Sequence, residues 1–389
     1  MKRTERPMTI RKKTFLAGAA GLHLLAAPSW AWPPPSAAEK SADRLITGFG
    51  AVLAFSEQIN PEPRSAASEK EKFFAALREG RVYEPQFRYS PFPPRALKEI
   101  PVLEKTSAGS GPYAAFIEEA RSQQLAKAAL LQARGAESFP ALSAALFPLP
   151  SAAEIVAAEK TLAELGYRPP EPPAELSDRE MAEELSRALA AAGLADWKTH
   201  ISSRMSASAS VTPGARRVNI RKGRRFSRGE VKRLVLHEIG VHALRAENGY
   251  AMPLGIFRLG LEGYLETEEG MAAYNEWSAG IDEGLRLFAL RVLAVDWAAR
   301  LPFSGVFSGL TDRGVPPELA WTITQRVKRG MTDTGLPGCY GKDVAYFRGY
   351  LAVRDFMEKG GSWDELMRYG KVSISHLPAL RALAGGGGK

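Results

Sequence analysis

Residues 234–245 read Leu234-Val-Leu-His237-Glu238-Ile-Gly240-Val-His242-Ala-Leu-Arg245. The run is apolar except at His237, Glu238, His242 and Arg245, and Ser227 stands upstream as an N-cap, so the pattern predicts a largely buried helix. Two histidines flanking a glutamate form an H-E-x-x-x-H pattern. In the H-E-x-x-H helix of zinc peptidases the histidines are four apart and share a face, and the glutamate acts on zinc-bound water. Here they are five apart, which places them about 140° from one another on an ideal helix. Both reach one ion only if the helix is loosened between them, for example by a π-type bulge, and Gly240 makes that deformation cheaper. The chain has five histidines in 389 residues, namely His23, His200, His237, His242 and His376. A core or capping role accounts for one of the central pair, not for both with a carboxylate beside them.

An ion with one position open for water needs a third protein ligand. His200 and His376 are distant in sequence. Glu268 and Glu269, at the start of an apolar helical segment, offer carboxylates for a His₂Glu set that suits zinc. First-turn stabilisation of the helix dipole explains the same two residues equally well, and the sequence pattern alone does not choose.

Upstream, residues 200–211 alternate in the manner of a strand, Thr212-Pro-Gly214 signals a turn and Arg216–Ile220 reads as a second strand. Amphipathic segments separated by Pro-rich breaks fill much of the remainder: 38–60, 66–79, 113–133, 152–165, 177–192, 267–277, 282–300, 317–329, 342–358 and 363–369. The fold expected is α+β, mostly helical, with a small sheet beside the central helix. Residues 1–36 read as a signal-peptide-like segment and Pro-rich linker, with a basic start, an apolar run over 14–27 and a small-x-small site at Ser29-Trp-Ala31. That pattern implies an exported or periplasmic protein, with a cytoplasmic one as the alternative. Residues 37–195 form an N-terminal helical region and 196–384 a catalytic region, together one compact unit, and 385–389 a flexible tail.

Composition narrows the function. One cysteine, Cys339, excludes a disulfide scaffold and cysteine-rich metal sites. No long apolar runs recur, so no stable membrane span is expected. The net charge of +9 is concentrated at the N-terminus and in residues 216–233, where nine basic residues face Glu230 alone. No aromatic interleaving or recognised nucleic-acid motif accompanies that stripe, so nucleic acid is not an expected partner.

The motifs together carry a resemblance. His237-Glu-Ile-Gly-Val-His242, Asn248-Gly249 and Glu268-Glu269-Gly270-Met271-Ala272 resemble the microtubule-associated tyrosine carboxypeptidases and their bacterial relatives, the flavohaemoglobin-expression-modulating proteins with a Gln-Glu-Gly-Leu-Ala motif. The likeness extends to Ile59-Asn60-Pro61, Tyr83–Tyr89 and Gly341-Lys342-Asp343-Val-Ala-Tyr346, roughly residues 40–370. Val241, Met271 and Gly341 depart from the usual Thr, Leu and Thr. The resemblance implies a zincin-like catalytic core, one Zn²⁺ held by His237, His242 and Glu269, Glu238 as the base, and hydrolysis of a C-terminal peptide bond. A carboxypeptidase must also hold the free α-carboxylate of its substrate. Lys342, Arg329, Arg348 and Arg245 are the candidate cations, and Tyr346 is a candidate oxyanion donor. The partner implied is a protein or peptide C-terminus, acidic if the basic stripe flanks the cleft. A zinc endopeptidase and a non-catalytic helical binding module with a structural metal are the competing readings.

Overall fold

A computed structural model describes residues 32–165, 175–203, 205 and 207–385. The signal-like segment and residues 386–389 of the tail lie outside the described residues. The fold is α+β and mostly helical, with one three-stranded sheet. No helix among the described residues is long and apolar enough to cross a membrane.

Strands β1 (Lys198–Ser202), β2 (Ala209–Thr212) and β3 (Arg217–Arg221) form a sheet of order β1-β3-β2. The single strand expected over 200–211 is two: its end lies in β2, which forms the expected antiparallel hairpin with β3, closed by a 3₁₀ turn over Pro213–Ala215, and its start lies in β1, which adds in parallel to the other edge of β3. Arg216 leaves the turn in the left-handed region, at φ 42°. Its guanidinium lies 3.9 Å from the Tyr250 ring centroid and pairs with Glu247 at 2.9 Å, which fastens the turn to the end of the central helix.

That helix begins with a capping box, in which Ser227 Oγ accepts from the Glu230 amide and the Glu230 carboxylate accepts from the Ser227 amide. It runs as α-helix over Arg228–Leu234, as π-helix over Val235–Ala243 and again as α-helix over Leu244–Tyr250. The loosening anticipated around Gly240 is therefore a full π segment. With i→i+5 closure, residues five apart come one above the other.

Two further helices complete the frame. Helix Tyr264–Ser278 packs along the π segment and against helix Val344–Glu358. The second contact is backbone on backbone: a Cβ on Gly270 would stand 2.2 Å from the Gly349 carbonyl oxygen, and one on Gly349 1.8 Å from the Glu266 carbonyl oxygen. Helix Glu283–Ala298 is apolar on nearly every face. Leu290, Ala294 and Ala298 join an aromatic cluster containing Phe73, Phe303, Phe307 and Trp321, and Ala289, Val292 and Leu293 pack with Phe347 and Tyr350. The largest apolar cluster draws on residues from Ala42 to Leu380.

Helices Pro94–Glu104, Phe303–Thr311 and Leu377–Gly385 were not among the expected segments. The first starts on Pro94 and contains Pro101; the second carries two glycines, one of them under the Trp297 ring. The Gly341 departure also has a cause, since a Cβ there would lie 2.4 Å from the Phe147 carbonyl oxygen.

Gly349→Ala is expected to destabilise the protein by at least the ~1–3 kcal/mol usual for overpacking, because backbone rather than a movable side chain receives the methyl. Chemical denaturation checks this, and Gly48→Ala, where a Cβ meets nothing within 4 Å, serves as the control.

Candidate active site

The π segment turns His237 and His242 to the same side, with ring centroids 4.9 Å apart. Helix Tyr264–Ser278 supplies the third group. Glu269 Oε2 lies 3.6 Å from Nε2 of each imidazole, and the three donor atoms fall within 4.8 Å of one another. That carboxylate oxygen is buried and has no hydrogen-bond partner. Three donors too far apart to bond one another, facing a common point, suit a divalent ion. Ligands about 2.0–2.1 Å from a tetrahedral zinc stand about 3.4 Å apart. The donor set fits a metal.

Each imidazole is held from behind. His237 Nδ1 lies 2.7 Å from Glu276 Oε1, and His242 Nδ1 lies 2.7 Å from Glu268 Oε1. Asn275 Nδ2 donates to the Leu236 carbonyl at 2.9 Å, at the start of the π segment. Burial alone would lower the pKa of both histidines. The carboxylates of Glu269 and Glu276 override it at His237, raising it to about 9, and those of Glu268 and Glu269 raise His242 to about 10. Burial likewise acts to raise Glu269, and the two imidazoles hold it well below the usual carboxylate range instead. Glu238, next to His237 and 6% exposed, has a side chain that makes no hydrogen bond or ion pair among the described residues.

Beyond Glu269 lies a group of cations around one anion. Asp343 is wholly buried and receives both Nε and Nη2 of Arg326 at 2.7 Å, Arg329 at 3.4 Å and Arg291 at 3.7 Å. Burial works to raise its pKa, but these guanidinium groups, Arg326 first, hold it below the ordinary range. Arg291 stands 5.1 Å from the Tyr346 ring centroid, and Tyr346 stacks on Phe288 at 4.9 Å. The Lys342 side chain makes no hydrogen bond or ion pair among the described residues and lies close enough to Glu269 for their charges to interact; burial pushes its pKa down to about 8.

The sequence-derived residues therefore divide. His237, His242, Glu269, Lys342 and Tyr346 gather at one place, Glu238 follows His237 on the π segment, and Arg329 lies at the edge, bonded to Asn60 Oδ1 at 3.0 Å as well as to Asp343. Arg245 is a correction as a substrate-binding cation. It is 0% exposed and sits behind Glu268, donating to the Val372 carbonyl at 2.8 Å. Arg348 is a second correction, because its guanidinium is taken up by Glu154, Glu266 and the carbonyls of Pro148 and Leu149. Glu276, Arg291 and Arg326 escaped the sequence reading. A signal existed for two of them: Glu276 is two turns from Glu269 on one helix face, and Arg291 interrupts an almost uniformly apolar helix.

The fold and this centre define a class: a mostly helical protein whose buried two-histidine, one-glutamate set, carried on a π-distorted helix and its neighbour, is fit for a divalent ion. The family follows from comparison with known proteins. The family model "Microtubule-associated tyrosine carboxypeptidase" matches residues 71–387, and the chain belongs to that family. Human microtubule-associated tyrosine carboxypeptidase 1 is 33% identical over 152 residues, covering 38% of this chain and 32% of its own length. The rat protein of the same name is 32% identical over 152 residues with the same coverage. The chain thus spans about a third of the length of the curated relatives it matches.

His237→Ala, His242→Ala and Glu269→Gln are each expected to abolish stoichiometric metal binding, read by elemental analysis of the purified variants. Full occupancy in any one would remove that residue from the ligand set.

Proposed function

We propose that the protein is a zinc-dependent carboxypeptidase that hydrolyses the C-terminal peptide bond of a protein or peptide. One observation carries the reading: the His237/His242/Glu269 donor set adjoins a group of cations, buried Arg329 and half-buried Lys342, Arg291 and Arg326, for which Asp343 is, among the described residues, the single close protein anion apart from Glu269. Cations drawn partly out of water in excess are costly unless they bind something, and a substrate's terminal carboxylate fits that demand.

Zinc at this donor set would supply Lewis acidity, activating water and polarising the scissile carbonyl. Glu238, whose side chain has no hydrogen-bond or ion-pair partner among the described residues, accepts the water proton and passes it to the leaving amine. Lys342 and Arg291 hold the terminal carboxylate, and the Tyr346 hydroxyl donates to the developing oxyanion. Burial, and then the charge of Glu269, raises the Tyr346 pKa above the ordinary range, which keeps that proton available for donation.

Acidic tails remain part of the proposal in reduced form. Within the basic stripe, Arg216, Arg224 and Arg233 are paired with Glu247, Glu230 and Glu276, while Lys222, Arg228 and Lys232 are exposed. Those exposed charges would act mainly on association rate and would be screened by salt.

Glu238→Gln should retain zinc and the folded state while losing roughly 10²–10⁴-fold in kcat, measured on peptides by mass spectrometry. Blocking a good peptide substrate as its C-terminal amide should cost roughly 10- to 100-fold in kcat/KM, the value of hydrogen bonds to a charged group. Equal cleavage of acid and amide would point to an endopeptidase.

A further inference from the structure

We infer that Glu268 and Glu276 are positioning residues of the metal centre, and that the charge of Glu268 helps to set its affinity. The inference rests on His237, His242 and Glu269 being the ligands. An imidazole presents one nitrogen to an ion only if its tautomer and ring orientation are fixed by a partner at the other nitrogen. Both histidines have such a partner at 2.7 Å, and in both it is a buried carboxylate: Glu276 is 1% exposed and Glu268 3%. With Nδ1–H donated to these oxygens, both Nε2 lone pairs turn to the point faced by Glu269 Oε2.

All three carboxylates lie on helix Tyr264–Ser278, where Glu268 and Glu276 stand two turns apart. One rigid element therefore supplies the third ligand and the orienting groups for the other two. The charge of Glu268 is offset by Lys371 and Arg245, each 3.5 Å away. Backbone bonds fix Lys371, its amide donating to the Phe257 carbonyl at 2.8 Å and its carbonyl accepting from the Leu261 amide at 3.1 Å. At Glu276, Arg233 plays the corresponding part at 3.4 Å. Where the motif quoted above for the bacterial relatives has glutamine, this chain carries Glu268. Glutamine accepts the same Nδ1–H but adds no charge, so the glutamate makes His242 the stronger donor.

The experiment measures zinc affinity of the full metal-free chain by competition with a chromophoric chelator, in wild type, Glu268→Gln, Glu268→Ala and Glu276→Gln. The visible spectrum of each protein saturated with Co²⁺ is recorded alongside. Glu268→Gln should bind zinc about 10-fold more weakly and Glu268→Ala up to about 100-fold, the range for loss of such partners, with a shifted Co²⁺ spectrum. A merely structural role would leave the saturated spectrum unchanged. Wild-type affinity with an unchanged spectrum in Glu268→Gln would overturn the charge assignment while leaving the ligands standing. Failure of the wild type to take up zinc or cobalt would overturn the ligand reading itself. If Glu268→Gln does not fold, Glu276→Gln carries the test at the other imidazole, with the same two outcomes.

Discussion

The direct backbone contact between Gly270 and Gly349 is the constraint on which the site depends. Side chains on two crossing helices normally hold their axes 8–10 Å apart. Removing Cβ from both partners lets the helices close further, and residues on the facing stripes then meet. On helix Val344–Glu358 and the 3₁₀ turn before it, Lys342, Tyr346 and Gly349 are spaced i, i+4 and i+7, so the stripe that contains the glycine also carries the candidate substrate-binding residues. On the other helix Glu269 immediately precedes Gly270. The cation group and the third ligand become neighbours because two glycines occupy the crossing point.

The opposite side of helix Tyr264–Ser278 performs the second alignment. Glu268 and Glu276 reach His242 and His237, and Asn275 takes the Leu236 carbonyl. A π segment is rare and less stable than α-helix. Here it is flanked by regular helix, softened by Gly240 and bonded at three points to one neighbouring helix. Those bonds lie within the protein and aim the donors at one point.

Much of this arrangement was legible in the sequence, and what was not follows a physical pattern. The five-residue spacing of His237 and His242 around Gly240 called for a loosened helix, and the loosened helix is present. The β2–β3 hairpin was visible from its alternation and its Pro-Gly turn. The parallel pairing of β1 was not, because nothing local encodes which edge of β3 it joins. Helices Pro94–Glu104 and Phe303–Thr311 were hidden by prolines and glycines that tertiary packing tolerates. Most instructive are the arginines. Arg245, Arg291, Arg326, Arg329 and Arg348 look alike in a sequence, and only their partners distinguish them: Arg245 braces Glu268, Arg348 is saturated by Glu154 and Glu266, and the other three converge on Asp343.

These partners sort the charges of the centre into two systems that meet at Glu269. On one side, Glu268 and Glu276 orient imidazoles and are balanced by Lys371, Arg245 and Arg233. On the other, three arginines and Lys342 surround Asp343 and Glu269. The first system needs a cation at its open face, where Glu269 Oε2 is buried without a hydrogen bond. The second needs an anion, since these buried and half-buried guanidinium and ammonium groups outnumber their carboxylate partners among the described residues. An endopeptidase, whose substrate chain runs on past the cleaved bond, would have no use for the second system beside the donor set. A carboxypeptidase requires both side by side, because the bond it cuts lies one residue from the terminal carboxylate it must hold.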